Sequence, residues 1–280
     1  MVDEEIDWYF VCYDQLNHEI FPWSKGDRTS TGLIFIESEA KGKSLNFHKQ
    51  KLALLLSNMR HFSKEAQELG HPIKYLYTSG NYHDLLSKVS NDLGPINVVI
   101  PAERSMRIEL EPLFGTGNLI RHEHNGWLTK REWFVESVGV KPPFRMDKFY
   151  QRVRKETGIL MEQGKPIGGK YSFDADNRMP WRGNPETQEE LRFSIDEIDE
   201  SVMKLVNQKF SNHPGECDLS KVPTSIEQQH QALDWAINNL QHFGKYEDAM
   251  SSKSRYLFHS KLAISVNLHR LSPQQIVELV

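Results

Sequence analysis

Short apolar runs alternate with amphipathic helical patterns in the first part of the chain, and this alternation constrains the fold more than any other feature. Segments 8–13 (WYFVCY) and 32–38 (GLIFIES) are aromatic and β-branched, which is typical of buried strands. Over residues 47–69 the apolar positions recur with a period of about 3.6, which predicts a helix. Gly70, followed closely by Pro72, ends that helix.

The alternation continues as far as residue 123. Further strands are predicted at 73–78, 97–101 and 118–123, and further helices at 81–92 and 103–114. Strands that alternate with helices predict a parallel sheet covered by helices on both faces. We therefore expect an α/β, Rossmann-like domain with five parallel strands over residues 1–130.

The pattern changes after residue 130. Residues 146–160 (MDKFYQRVRKETGIL) predict a helix, and residues 164–185 contain several glycines and prolines, as structured loops do. Later helices are predicted at 195–210, 225–243 and 256–269, and Ser272-Pro273 is typical of a helix start. We expect a connector with a basic helix over residues 131–194 and a helical region over residues 195–280.

Charge and cysteine content narrow the classes of function. The formal net charge of −4 gives no general attraction for nucleic acid, so a DNA contact needs a local basic patch. One face of the helix predicted at 146–160 offers such a patch, although a solvated helix face is the alternative reading. Its cations are Lys148, Arg152, Arg154 and Lys155. The chain has no apolar run of about 20 residues and only two cysteines, which favours a reducing cytoplasm and no membrane span.

Polar residues lie at the carboxyl ends of the first four predicted strands. They are Asp14 and Gln15, Glu37 and Glu39, Thr78 and Ser79, and Glu103 and Arg104. Because ligands bind beyond the carboxyl ends of strands in open α/β sheets, these residues predict one crevice. Neither GxGxxG nor GxxxxGK[ST] occurs, which argues against a dinucleotide or phosphate loop. Ordinary polar loops and helix caps are the alternative.

A second candidate lies in residues 259–273 (HSKLAISVNLHRLSP). Ser260 lies near the start of the helix predicted at 256–269 and could offer its hydroxyl to an anion, since helix amino termini attract phosphate; a plain helix cap is the alternative. The histidines at 48, 61, 122 and 124 lack the spacing and partners of a zinc site, and no GxSxG elbow is present. We expect no metal site.

Four long stretches together resemble the photolyase-related proteins of bacteria, a group that includes the iron–sulfur (6-4) photolyases and bacterial cryptochromes. They are YDQLN (13–17), FHKQKLALLLSNMRHFSKEAQELGHPIKYL (47–76), the motifs within 146–180, and those within 243–273. The stretches occur in order and span nearly the whole chain. No single stretch is specific for the family, but the occurrence of all four is.

The resemblance implies an α/β antenna domain, a connector that includes GGKYSFDADNRMPW (168–181), and a helical domain that holds FAD. It implies light-dependent repair of damaged DNA or blue-light signalling, with 6,7-dimethyl-8-ribityllumazine as antenna. By motif position Asp14, Gln15 and Glu37 belong to the antenna crevice, with Glu37 the best candidate because a carboxylate accepts hydrogen bonds from a ring edge. The residues implied for FAD are Tyr246, Ser260, Leu262 and Asn267.

Some positions depart from the family pattern. Tyr13 stands where the family usually has glycine, so its ring is expected to narrow the antenna pocket, and Ala263 replaces a serine of the phosphate-cradling element. The family's four cluster-binding cysteines are expected beyond this chain, and two cysteines alone cannot ligate a four-iron cluster. We therefore expect the N-terminal portion of such a protein, with a separately encoded C-terminal half as a candidate partner. A stand-alone lumazine- or flavin-binding module, or an inactive truncated remnant, is the alternative.

Overall fold

In the computed structural model, which describes residues 6–22 and 27–280, the first half of the chain forms a five-stranded sheet. The strands are β1 (Asp7–Phe10), β2 (Thr31–Ser38), β3 (Ile73–Thr78), β4 (Ile96–Val99) and β5 (Leu119–His122). All pairings in this sheet are parallel, in the order β3-β2-β1-β4-β5. The predicted α/β, Rossmann-like sheet is therefore confirmed. The chain order reverses between β1 and β4, where open parallel sheets form their ligand crevices.

Four helices connect these strands and cover the sheet. They are α1 (Glu39–Lys43), α2 (Lys49–Glu68), α3 (Tyr82–Leu93) and α4 (Arg104–Gly115). Local sequence signals account for the ends of α3, because the Asn81 side chain accepts a hydrogen bond from the Asp84 N–H and Gly94 follows with a φ of +84°. Only glycine takes such a φ without strain.

The core lies on both faces of the sheet. Successive residues of β2 point to opposite faces, so Leu33 and Phe35 pack with Phe62 of α2, whereas Ile34 and Ile36 pack in the cluster on the other face. A central parallel strand is covered on both faces, which explains why β2 is a continuous apolar run.

The rest of the chain is mainly helical. Its elements are α5 (Arg131–Val138), α6 (Met146–Thr157), a short antiparallel pair β6 (Met161–Glu162) and β7 (Lys165–Pro166), α7 (Glu197–Lys209), α8 (Ile226–Tyr246), α9 (Ala263–Asn267) and α10 (Pro273–Leu279). Short 3₁₀ turns occur at His18–Ile20 and Leu219–Lys221. The helical C-terminal region expected from the sequence is confirmed, but α5 and the β6–β7 pair carried no signal that we recognised.

One expected helix is wrong over most of its length. The sequence predicts a helix at 256–269, whereas only Ala263–Asn267 is α-helical. Leu257, Lys261 and His269 have positive φ angles of 45°, 59° and 56°. A left-handed residue interrupts the hydrogen-bond ladder of a right-handed helix, so the apolar pattern here reflects packing of an irregular segment.

The described residues cluster into two compact units. The first contains residues up to Asn125 with Glu190–Ala232 and Leu262–Leu271; the second contains Gly126–Glu189, Leu233–Lys261 and Ser272–Val280. In the first unit, α7 packs on α2, with Val202, Val206 and Phe210 against Leu52 and Ala53. The packing surface of α7 follows an amphipathic period and its start is fixed by a capping box of Asp196 and Asp199.

In the second unit, backbone and side-chain hydrogen bonds hold parts of the glycine- and proline-containing segment 164–185, and the residues just after it, against α8. The Met179 N–H donates to the Lys245 carbonyl at 3.1 Å, and the Trp235 indole N–H donates to the Glu189 carbonyl at 3.0 Å. The Gln188 side chain adds a hydrogen bond of 2.7 Å to Asn239. These bonds satisfy polar groups of a segment that has little regular secondary structure.

Candidate functional site

A cleft of about 580 Å³ opens in the first unit at the carboxyl ends of the parallel strands. Residues from the ends of β2 and β3 and from the loops after β1 and β4 line it, among them Glu37, Thr78, Tyr13 and Glu103. Leu52, Leu55, Leu56 and Met59 of α2 form an apolar wall with Phe47, Leu205 and Phe210, whereas α1 contributes Glu39, Lys41 and Gly42. This volume lies within the usual range of small-molecule sites, roughly 300–1,000 Å³.

Glu37 is a buried carboxylate in the wall of the cleft, with a relative exposure of 7%. The Arg60 guanidinium binds it in a bidentate manner, with Nε at 2.7 Å from Oε1 and Nη2 at 3.0 Å from Oε2. The Tyr75 hydroxyl also donates to Oε1, at 2.7 Å. Burial, and then the charge of Glu37, raises the pKa of Tyr75, so this hydroxyl keeps the proton that it donates.

These three donors leave room for one more hydrogen bond to Glu37. A carboxylate has about four acceptor positions, two on each oxygen. Oε1 accepts from Arg60 and Tyr75, and Oε2 accepts from Arg60 alone. The geometry therefore holds the carboxylate rigidly and leaves one acceptor position on Oε2 for a donor in the cleft.

A second carboxylate, Glu103, also lines the cleft. The Tyr13 hydroxyl donates to Oε2, and Lys41 and Ser105 donate to Oε1. Burial would raise the pKa of Glu103, but the hydrogen bonds from Lys41, Ser105 and Tyr13 outweigh it and hold the pKa below its ordinary value. Tyr13, whose ring we expect to narrow the pocket, lines the cleft and is fixed there by Glu103.

The described side chains that line the cleft include Glu37 but neither Asp14 nor Gln15. Gln15 is fully buried, and its amide nitrogen donates to the carbonyls of Val99 and Ile100, both at 3.2 Å. The Asp14 carbonyl accepts a hydrogen bond from His269 at 2.7 Å. In this structure Gln15 therefore ties the loop after β1 to the end of β4.

Sequence reasoning missed several residues of the cleft. Arg60 and Tyr75 hold Glu37, and the exposed ring of Tyr77 lies 5.9 Å from the Arg60 guanidinium. Lys209 at the end of α7 and Phe210, which follows it, complete one wall. Successive residues of β3 point to opposite faces of the sheet, so the sequence already indicates that Tyr75 and Tyr77, two residues apart, share one face. No sequence pattern links α7 to the sheet.

A glycine allows α7 to approach α1 closely. A Cβ atom at Gly42 would lie 2.7 Å from the Phe210 ring, well inside van der Waals contact. The small residue in α1 therefore permits Phe210 to form part of the wall.

The four residues implied for FAD divide between the units. Tyr246 and Ser260 belong to the second unit, and Leu262 and Asn267 belong to the first. The Tyr246 ring packs on Phe258 with centroids 5.3 Å apart. The residue at the N-cap of α9 is Leu262, which makes no side-chain cap, so Ser260 is not the cap that the sequence pattern suggested.

The basic helix α6 presents its cations on different faces. Lys148, Arg152 and Lys155 are separated by four and three residues and so share one face. Arg152 pairs with Glu136 at 3.1 Å and Glu156 at 2.7 Å, while Lys148 and Lys155 are exposed. Arg154 points the opposite way, is only 5% exposed, and donates to the carbonyls of Ile159, Leu160 and Tyr171.

One described group has the composition of a metal site. His61, Asp196 and Asp199 place one possible ligand atom each within 4.8 Å of the others. These atoms are engaged in hydrogen bonds, since His61 Nε2 lies 2.9 Å from Asp196, and Ser57 donates to Asp199. The arrangement caps α7 and connects it to α2.

Among the described residues, no helix is both long and apolar enough to cross a membrane.

Comparison with known proteins gives three findings. A sequence model of the family described as "Deoxyribodipyrimidine photo-lyase-related protein" matches residues 9–221. A protein named "(6-4) photolyase" from Agrobacterium fabrum is 27% identical over 268 residues, which cover 92% of this chain and 53% of that protein. "Uncharacterized protein R852" of Acanthamoeba polyphaga mimivirus is 28% identical over 154 residues, which cover 52% of this chain and 77% of that one. The chain thus spans about half the length of the Agrobacterium relative.

Proposed function

The chain belongs to the deoxyribodipyrimidine photo-lyase-related protein family, and on this premise we propose that it is the chromophore-binding portion of a light-dependent flavoprotein of the photolyase and cryptochrome type. In this proposal the cleft of the first unit binds 6,7-dimethyl-8-ribityllumazine as an antenna. The observation that carries the proposal is the cleft itself, with the buried carboxylate of Glu37 in its wall.

The chemistry of the cleft suits a planar heterocycle with an N–H edge. Oε2 of Glu37 has one acceptor position left, and Arg60 and Tyr75 hold the carboxylate at a fixed orientation. A hydrogen bond from a ring N–H to a charged, buried acceptor contributes about 1.5–3 kcal/mol. The exposed ring of Tyr77 and the aliphatic side chains of α2 offer flat, apolar contact for the ring faces.

A fluorescence titration with 6,7-dimethyl-8-ribityllumazine tests this site. Wild-type chain is expected to bind, and Tyr77→Leu is expected to bind about fivefold more weakly because it removes one stacking surface. Glu37→Gln replaces the acceptor and is expected to weaken binding by at least tenfold. Glu68→Gln, an exposed change on the same helix as Arg60, is the matched control. Absence of binding to the wild-type chain would refute the proposal.

FAD and light-driven chemistry are proposed for the complete protein because the family and the Agrobacterium relative are both described as photolyases or related to them. FAD would supply light-driven electron transfer, and Tyr246, Ser260, Leu262 and Asn267 are the residues of this chain assigned toward it. The chain spans about half the length of the Agrobacterium relative. In the proposal, stable FAD binding in the complete protein therefore also uses residues beyond these 280, in the same polypeptide or in a separate partner.

Damaged DNA is the proposed substrate of the complete protein, and α6 is the proposed contact. Lys148 and Lys155 are exposed, and no ion pair joins either to a carboxylate of the described chain, so both can neutralise phosphates. Arg152 shares their face, whereas Arg154 supports the helix from behind. Lys148→Glu with Lys155→Glu is expected to weaken DNA binding at low salt, measured by fluorescence anisotropy. Lys245→Glu with Lys253→Glu carries the same charge change outside α6, and equal losses in both variants would argue against the contact.

A stand-alone lumazine- or flavin-binding module is the second candidate function. One observation favours it, because every residue that lines the cleft belongs to the first unit. Reading the DNA next to the coding sequence separates the candidates. A frame that encodes further helices and four cysteines would support the flavoprotein, and its absence together with lumazine binding would support the module. A chain that binds no chromophore would instead fit the inactive remnant.

A further inference from the structure

Residues 39–46, between β2 and α2, form a thin outer wall of the cleft. Four of these residues line the cleft, namely Glu39, Lys41, Gly42 and Leu45. The other four are exposed and do not line it, namely Ala40, Lys43, Ser44 and Asn46. One side of this segment, which we call the strap, therefore faces the cleft, and the other side faces solvent.

The strap has no hydrophobic anchor in the core. No residue of α1, which forms most of the strap, is buried, whereas α2 buries nine of its residues. Leu45, the large apolar residue of the strap, is 65% exposed. An element of this kind opens at a low cost in free energy, because few buried contacts have to be broken.

Both ends of the strap are fixed. Before it, Ser38 is paired with Thr78 in the sheet, and the Ser38 hydroxyl donates to the Gly80 carbonyl at 2.6 Å. After it, the Phe47 carbonyl lies at hydrogen-bond distance, 2.9 Å, from Nδ1 of His213. Movement of the strap is therefore confined to the residues between these two anchors.

Among the described residues, two ion pairs join the strap to other walls of the cleft. Lys41 pairs with Glu103 in the loop after β4, and Glu39 pairs with Lys209 of α7 at 3.3 Å. Hydrogen bonds from Lys43 and Lys209 hold the pKa of Glu39 below its ordinary value, so this carboxylate stays charged at neutral pH. Polar contacts at its outer residues thus hold the strap closed.

We propose that the strap acts as a lid of the cleft, and that its ion pairs with Glu103 and Lys209 set the rates at which the chromophore enters and leaves. The inference rests on the proposed chromophore site and concerns the regulation of that site. Because ion pairs near the surface are weak, the closed and open positions of the strap exchange readily. The proposed chromophore has no ionised group at neutral pH, so a salt dependence of its binding rates reports on ion pairs of the protein.

Stopped-flow fluorescence with 6,7-dimethyl-8-ribityllumazine and the full chain measures both rate constants. Loosening a lid speeds entry and exit together, whereas loss of a contact with the ligand speeds exit alone. Both rate constants are therefore expected to rise about threefold between ~0.02 M and ~0.5 M NaCl, while the dissociation constant changes by less than about twofold.

Two lysines that pair with the same carboxylate, Glu39, provide a matched comparison. Lys209→Met removes the pair between the strap and α7, and it is expected to raise both rate constants about threefold at low salt and to reduce their salt dependence. Lys43→Met makes the same charge change but removes a pair within α1. It is expected to keep both wild-type rate constants, because that pair does not join the strap to another element.

The outcomes separate the lid from the chromophore site. Rate constants of the wild-type chain that do not depend on salt would overturn the lid and leave the site intact. An increase of the dissociation rate constant alone in Lys209→Met, or equal effects of Lys209→Met and Lys43→Met, would do the same. Absence of lumazine binding to the wild-type chain would overturn the chromophore site and this inference together.

Discussion

Asp14 gives the sharpest test of the environment behind the cleft. Burial, with a further contribution from the charge of Glu103, raises the pKa of its carboxyl group from 3.8 to about 6. Oδ1 is buried and has no hydrogen-bond partner among the described residues. Water solvates the carboxylate of the unfolded chain, so ionisation favours unfolding. Asp14 therefore costs no stability below pH 3.8, and it destabilises the fold progressively as the pH rises through about 6.

The size of the effect follows from the two pKa values. At about 1.4 kcal/mol per pH unit, full ionisation of Asp14 costs about 3 kcal/mol, of which about 1 kcal/mol is already present at pH ~4.5. Asn has nearly the same shape and no charge. Relative to wild type, Asp14→Asn is therefore expected to gain about 2 kcal/mol between pH ~4.5 and pH ~7.

Urea unfolding at several pH values, followed by tryptophan fluorescence, measures this gain. Any fixed effect of the new amide cancels, because the prediction concerns only the change with pH. Asp92→Asn, an exposed carboxylate on α3, controls for the loss of one negative charge. A difference between Asp14→Asn and wild type that stays flat across this range would refute the reasoning.

Three further predictions concern packing and capping. Arg154→Met is expected to lower the free energy of unfolding by about 2–3 kcal/mol because it removes the donor to three carbonyls. Arg152→Met loses only surface ion pairs and is expected to cost less than about 1 kcal/mol. Urea unfolding that ranks the two variants in the opposite order would contradict the burial of Arg154. Gly42→Ala places a Cβ against the Phe210 ring and is expected to cost about 1–3 kcal/mol and to weaken lumazine binding, so unchanged thermal stability would contradict this packing. Ser272→Ala removes the capping box of α10 and is expected to cost that helix about 1 kcal/mol, which faster amide exchange in Pro273–Leu279 would reveal.

Strands were the most predictable part of the fold. The strand at 73–78 has the predicted bounds, and those of β2 and β4 differ from the predicted ones by at most two residues. Their runs are short, β-branched and bounded by Gly or Pro, so local preference and burial agree there. The segment 256–269 shows the opposite case, because its apolar residues pack against several elements and satisfy no single period.

The candidate site was predictable only in part. Glu37 was recognisable because it ends an apolar strand, at the sheet edge where ligands bind. Its partner Arg60 and the wall residue Phe210 carried no such signal, since Arg60 lies in an amphipathic helix and Phe210 directly follows one, where arginine and phenylalanine are ordinary. Arg154 was grouped with Lys148, Arg152 and Lys155 from charge alone, and the structure separates it by its position on the helix.

The sequence by itself determined the parallel sheet, its position in the first part of the chain, and the edge at which polar residues collect. These features follow from the spacing of apolar residues within each segment and from the order of the segments along the chain, and both can be read from the sequence. Only the tertiary structure decided which charges neutralise each other and which remain, because α7 and α2 meet at the cleft from positions more than a hundred residues apart. Ion pairing depends on distances in space, and for this reason the pairing of Glu37 with Arg60 became visible only in the folded chain.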